Sequence, residues 1–185
     1  MKNKTLWIVV GIVAVVVLYS WSVYNSLISR EQNVIIAWAQ VETQYQRRVD
    51  LIPNLVESVK GVMKQETAIF TALADARTKY SGATTVSAKA AAAGQVDSAL
   101  ARLLAIVENY PQLKSSENVQ TLMSQIEGTE NRVSVERKRF NDNVASYNLR
   151  TMRFPSSLMA SLFGFKSRAY FEAAKGAEVA PGVSF

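Results

Sequence analysis

The sequence predicts an all-α protein: one N-terminal transmembrane helix followed by an elongated, up-and-down helical bundle of four segments. Three observations predict it. An uncharged apolar run, Leu6–Tyr24, stands near the start of the chain. Beyond it, apolar residues recur at alternating steps of three and four through most of the chain. Glycine and proline are sparse, 8 and 4 in 185 residues, which is too few turn formers for a fold of many short strands. On these grounds the chain divides into a cytoplasmic flank at 1–5, a membrane helix at 6–24, a helical body at 25–172 and a flexible tail at 173–185.

The membrane segment reads LWIVVGIVAVVVLYSWSVY. Crossing ~30 Å of hydrocarbon at ~1.5 Å per residue takes about 20 residues, and this run is close to that length. With no water in the bilayer core, every backbone N–H and C=O must bond within the segment, so a helix is required. Trp7 lies at one end and Tyr19, Trp21 and Tyr24 near the other, as an aromatic belt demands. A cleaved signal peptide would have a shorter apolar region and a small-residue cleavage site, which Ser20-Trp21-Ser22 does not provide. Lys2, Lys4 and the terminal amine precede the run, and only Arg30 comes closely after it. The positive-inside rule therefore places the N-terminus in the cytoplasm and the body across the membrane.

In the body, Val34, Trp38, Val41, Tyr45, Val49, Ile52, Val56, Val59, Met63, Phe70 and Leu73 form a seam with a mean spacing of ~3.5 residues, the signature of bundle packing. Pro53 interrupts this seam. Either the helix continues with a kink, or it breaks and folds back, with Asp50 capping the second half. The break is favoured, because a straight helix would leave the seam around Trp38 and Tyr45 without a partner. Gly82 ends this region, and Thr85 or Ser87 opens an alanine-rich helix with an apolar face of Val96, Leu100, Leu103 and Val107. Pro111 ends that helix. Ser115 or Ser116 opens the next, which runs to about Met152 on Val119, Leu122, Ile126, Val133, Phe140, Val144 and Tyr147. Its seam turns polar near Thr129–Glu130 and Glu136–Arg137. A short helix comes next, begun by Pro155 and ended by Gly164.

The sequence has no cysteine and no histidine, which removes disulfides, thiolate zinc sites, cysteine nucleophiles and the commonest general base. No cofactor and no metal are expected. The net charge is +6, and the basic residues are scattered, so nucleic acid is not an expected partner. Two constellations stand out. Arg47, Arg48, Asp50 and Pro53 form an unusual run, either a docking corner or one end of an ion pair across helices with Glu127, Glu130 or Glu136. The ion pair is favoured, since a buried arginine left alone is costly. Glu127 and Glu130 could in principle act as paired carboxylates of a hydrolase, but no cleft is legible and helical charges usually pair or face water. The second constellation is apolar: Phe154, Leu158, Met159, Leu162, Phe163 and Phe165, bracketed by Arg150, Arg153, Lys166 and Arg168. It is either a helix lying on the membrane surface or a lid over the end of the bundle.

Two runs, AWAQVETQYQRRVDLIPNLVESVKG (Ala37–Gly61) and EGTENRVSVERKRFNDNVASYNLRTMRFPSSLMASLFGFKSRAYFE (Glu127–Glu172), together with the apolar anchor and YNSL at Tyr24–Leu27, closely resemble the LemA family of bacterial membrane proteins. The resemblance implies a four-helix, up-and-down body on a single anchor in the bacterial cytoplasmic (inner) membrane, with a periplasmic body and no established catalytic activity. It also implies a partner role, with a membrane protease or another envelope protein as the partner class. The chain departs from the family at one place: members often carry His-Glu soon after the VKG run, and here the residues are Gln65-Glu66.

The function these readings support is a single-pass, membrane-anchored helical scaffold or adaptor that self-associates into homo-oligomers or binds an envelope partner, without catalysis. Membrane lipid is its other expected partner. Two alternatives stand beside it: a membrane-surface or remodelling protein acting through the 154–168 segment, and an envelope hydrolase using Glu127 and Glu130.

Overall fold

The structure, a computed structural model, describes residues 2–171. The expected tail at 173–185 and the last body residue, 172, lie outside the described residues. Six helices form, α1 (Lys2–Lys60), α2 (Thr67–Gly82), α3 (Val86–Val107), α4 (Pro111–Lys114), α5 (Glu117–Met152) and α6 (Ser156–Leu162), with no strand among the described residues. The all-α expectation and the long apolar N-terminal helix are both met.

The described residues fold as two compact units, one of residues 2–37 and 139–170 and the other of 38–138 with Phe171. In the first, the stretch from Leu6 to Leu18 is exposed on every face, as a lipid-facing helix must be. Burial begins only at Val23 and Leu27. Val34 and Ala37 of α1 and Phe140, Val144 and Tyr147 of α5 are buried in the same unit, one turn apart along each helix.

The second unit takes most of its core from α1, α2, α3 and α5, with Leu113 of α4 added. Val41, Tyr45, Val49, Ile52, Leu55 and Val59 of α1 are buried, with Leu73, Ala76 and Tyr80 of α2. The four apolar residues named for α3 are all buried, as are Val119, Ile126 and Val133 of α5. α3 is itself long and apolar enough to cross a membrane, but its buried stripe of Ala92, Ala93, Val96, Leu100 and Leu103 packs inside the unit. Thr85 starts α3, its hydroxyl accepting from the N–H of Ala88 at 3.2 Å.

The expected break at Pro53 does not occur. α1 runs through Pro53 to Lys60, and the turn falls at Gly61–Glu66. Proline inside a helix costs about 3 kcal/mol. Val49, Ile52, Leu55 and Val59 flank it and are all buried, at ~1.5–3 kcal/mol each, so burial of an in-phase seam outweighs the lost hydrogen bond. Asp50 is accordingly no cap; it is exposed and accepts from the Gln46 side-chain amide within the same helix at 2.8 Å. The partner that Tyr45 lacked comes from α2, α3 and Phe171 rather than from a fold-back of α1.

Candidate functional site

Two sites emerge, one in each unit. The first is an ionic and aromatic hub in the second unit. Arg48 sits on the buried face of α1, and its side chain is 0% exposed. Its guanidinium pairs with Asp97 of α3 and, at 2.5 Å, with Glu130 of α5. Its Nε donates to the Thr129 hydroxyl at 3.2 Å. Asp97 in turn takes Arg137 of α5 at 2.5 Å and the Tyr45 hydroxyl at 3.0 Å. Arg137 lies against two aromatic faces, 5.1 Å from the Tyr45 ring centre and 4.7 Å from that of Phe171, a cation–π arrangement that suits a planar guanidinium. The hub therefore ties α1, α3 and α5 together at one level, where a slip of any helix would leave a buried charge unpaired.

Of the residues singled out in the sequence, Arg48 and Glu130 meet here. Arg47 and Glu127 are exposed and take no part, and Asp50 and Pro53 act only within α1. The Glu130 carboxylate is held by Arg48, so the structure does not offer Glu127 and Glu130 as a free pair. Asp97 and Phe171 join the hub without having stood out in the sequence. A signal for Asp97 does exist: it is a lone acid four residues after Ala93 and three before Leu100, in phase with the apolar face of an alanine-rich helix.

Burial pushes the Asp97 carboxyl up to about 6, and the Arg48 charge offsets only part of that rise. A folded-state value above the unfolded one means that protonation favours the folded state. The contribution is fully present below about pH 4 and is lost as the pH rises through 6. Denaturant titrations should therefore find the advantage of wild type over Asp97→Asn largest near pH 4. By pH 7 it should shrink by on the order of 2 kcal/mol, the shift being discounted for partial exposure. A gap that widens with pH would contradict this account.

The second site is the α5–α6 corner of the first unit. α6 packs its small face inward: Ala160 is buried with Val23 and Leu27 of α1, and Met159 and Phe165 close over them. The Ser20 hydroxyl donates to the Met159 sulfur at 3.3 Å, and the Tyr24 ring meets Phe163 edge-on at 5.0 Å. The Ser156 hydroxyl donates to the carbonyls of Arg150 and Arg153, both at 2.8 Å, and so satisfies the end of α5. Gly164, at φ +78°, ends α6. Phe165 N–H reaches the Ala160 carbonyl at 2.9 Å and Gly164 N–H that of Ser161 at 3.3 Å, the paired closure that a left-handed glycine allows. Asn148 then clamps the chain beyond α6, its amide donating to the Arg168 carbonyl and its oxygen accepting from Arg168 N–H, each at 2.8 Å. The Arg168 guanidinium pairs with Glu31 at 2.5 Å. A cleft of about 350 Å³ opens beside α6, lined by Thr151, Ser157, Ser161, Lys166 and Ser167 among others. Phe154, Leu158, Leu162 and Phe163 remain exposed, so these four do not close over a core as a lid would.

The sequence profile of the LemA family matches residues 37–185. The chain belongs to the LemA family. The match takes in the whole hub and the α5–α6 side of the second site, and it includes α3 with Asp97, which lies outside the two runs that carry the LemA resemblance. The chain is also similar to magnetosome protein MamQ 2 of Paramagnetospirillum magneticum, at 26% identity over 175 residues, and to magnetosome protein MamQ of Magnetospirillum gryphiswaldense, at 27% over 174. Each alignment covers 80% of this chain and 64% of the relative, so the chain spans a little under two thirds of the length of these relatives.

Proposed function

We propose that the chain is a single-pass, membrane-anchored helical scaffold that associates laterally with copies of itself or with another envelope protein, and that it performs no catalytic step. α1 carries this reading: its apolar run continues without interruption into the first helix of the body. Confinement to a membrane raises effective concentration, so modest contacts on such a helix are enough for association. Ile35 and Ile36 on α1 and Leu149 on α5 supply apolar surface well beyond the membrane run, in the anchor's own unit. The relatives are named for a cellular structure rather than for a reaction, which supports a structural role. The commitment of Glu130 to Arg48 supports the same view. Lys2 and Lys4 ahead of the run favour a cytoplasmic N-terminus and an extracytoplasmic body.

Chemical cross-linking in native membranes tests the proposal. Wild type is expected to yield dimers or larger species, and the Ile35→Glu, Ile36→Glu double variant to yield several-fold fewer. Monomers alone, across cross-linker lengths and expression levels, would refute self-association. If no second protein were captured either, the scaffold reading would fail.

A further inference from the structure

We infer that α6 is a second membrane attachment, lying in the interfacial layer of the leaflet that faces the body, with its outer apolar side chains bedded in lipid. The inference rests on Leu6–Tyr24 spanning the bilayer. Its first support is depth. From Leu6 to Ser20 a helix climbs ~21 Å, and to Leu27 ~32 Å, at ~1.5 Å per residue; the hydrocarbon layer is ~30 Å thick. α6 touches Ser20, Val23 and Leu27 of α1, and Phe163, the residue that ends it, touches Tyr24. The membrane helix itself therefore holds α6 at the level where hydrocarbon gives way to headgroups.

The second support is the orientation of α6. Its buried residues are the small ones, Ser156 and Ala160; Met159 closes over Val23 and Leu27, while Leu158 and Leu162 point away, the latter 73% exposed. Phe154, 75% exposed, extends that outer face, and Phe163 lies at its edge, half-exposed with its ring against Tyr24. For a helix in water this pattern is inverted, with the bulky apolar side chains outside and the small ones within. For a helix on a bilayer it is the expected arrangement, since small residues allow close approach to α1 and large ones enter lipid.

The third support is charge. Arg153 and Lys166 flank the apolar face and are exposed, and Lys166 shares its cleft with the hydroxyls of Ser157, Ser161 and Ser167. Cations and hydroxyls at this depth meet phosphate headgroups, and their long stems reach outward from an apolar base. A second copy of the chain could cover the same face, but the contact with residues 20–27 places that face against lipid before any copy arrives.

The test uses the full chain, which has no cysteine of its own. Leu162→Cys, Val13→Cys and the body control Ala74→Cys each carry one environment-sensitive fluorophore. All three positions are exposed, so the core is untouched. Each protein is placed at one copy per nanodisc in a phosphatidylcholine–phosphatidylglycerol bilayer containing lipid with a nitroxide high on the acyl chain. Position 162 is expected to be quenched several-fold more than position 74 and to emit further to the blue. Equal quenching at 162 and 74, with 13 still in lipid, overturns the inference and leaves the anchor standing. A blue shift at 162 that appears only in discs holding two copies assigns the face to a second copy and also overturns it. Position 13 behaving as position 74 does would show that the anchor reading itself has failed.

Discussion

Arg48→Met is expected to destabilise the body by about 3 kcal/mol in denaturant titrations of the detergent-solubilised chain. Breaking a buried ion pair by removing one partner typically costs ~3–5 kcal/mol, because the other charge is left uncompensated. The lower end applies here for two reasons. Asp97 retains Arg137, and Glu130 is half in water, its side chain 55% exposed. The loss should be strongly non-additive. Asp97→Asn in the Arg48→Met background should cost at least ~1 kcal/mol less than in wild type, because the two groups stabilise each other. Glu130→Gln, at the wet end of the network, should cost under ~1 kcal/mol. Equal and additive losses for all three would mean that the hub is not a unit.

The Val13→Asp, Val16→Asp double variant is expected to abolish membrane retention. An aspartate at the centre of a spanning helix costs ~2.5–3.5 kcal/mol, so two should cost ~5–7 kcal/mol. Val13 and Val16 are three apart, on one face of a helix with no partner to shield a carboxylate. Membrane fractionation should find the double variant in the soluble fraction or degraded, whereas Val13→Leu, Val16→Leu stays with the membrane. Retention of the aspartate variant at wild-type level would argue that these residues never enter hydrocarbon.

Much of the fold was legible because helical seams depend on period, and period survives without coordinates. The apolar faces of α3 and α5 and the Gly164 stop were readable from spacing and residue type, and Thr85, the cap observed, was one of two candidates with Ser87. Pro53 was misleading because a local cost was weighed without the burial on either side of it. The real turn, at Gly61, carried only a lone glycine, with the apolar seam still in phase through Val59 and Met63 on either side of it. In the hub, an arginine pairing across helices with Glu127, Glu130 or Glu136 was implied by charge at seam positions, and the structure selects Arg48 and Glu130. Asp97 carried a signal as a lone acid on an apolar face, but its pairing with Arg48 depends on the rotation of α3 against α1, which no single-helix pattern encodes. The α6 face shows the same limit. Spacing identified Phe154, Leu158, Met159, Leu162, Phe163 and Phe165 as one apolar group, but not that Met159 and Phe165 turn inward while the rest stay exposed.

The central claim is that Leu6–Tyr24 lies in the bilayer and carries the body on one side of it. Thiol accessibility in intact membranes tests it most directly, again because the chain has no native cysteine. With a water-soluble maleimide, Ala74→Cys should label readily, and Val13→Cys should label only after the membrane is dissolved and the protein denatured. Labelling of both positions at the same rate in sealed membranes would contradict the account.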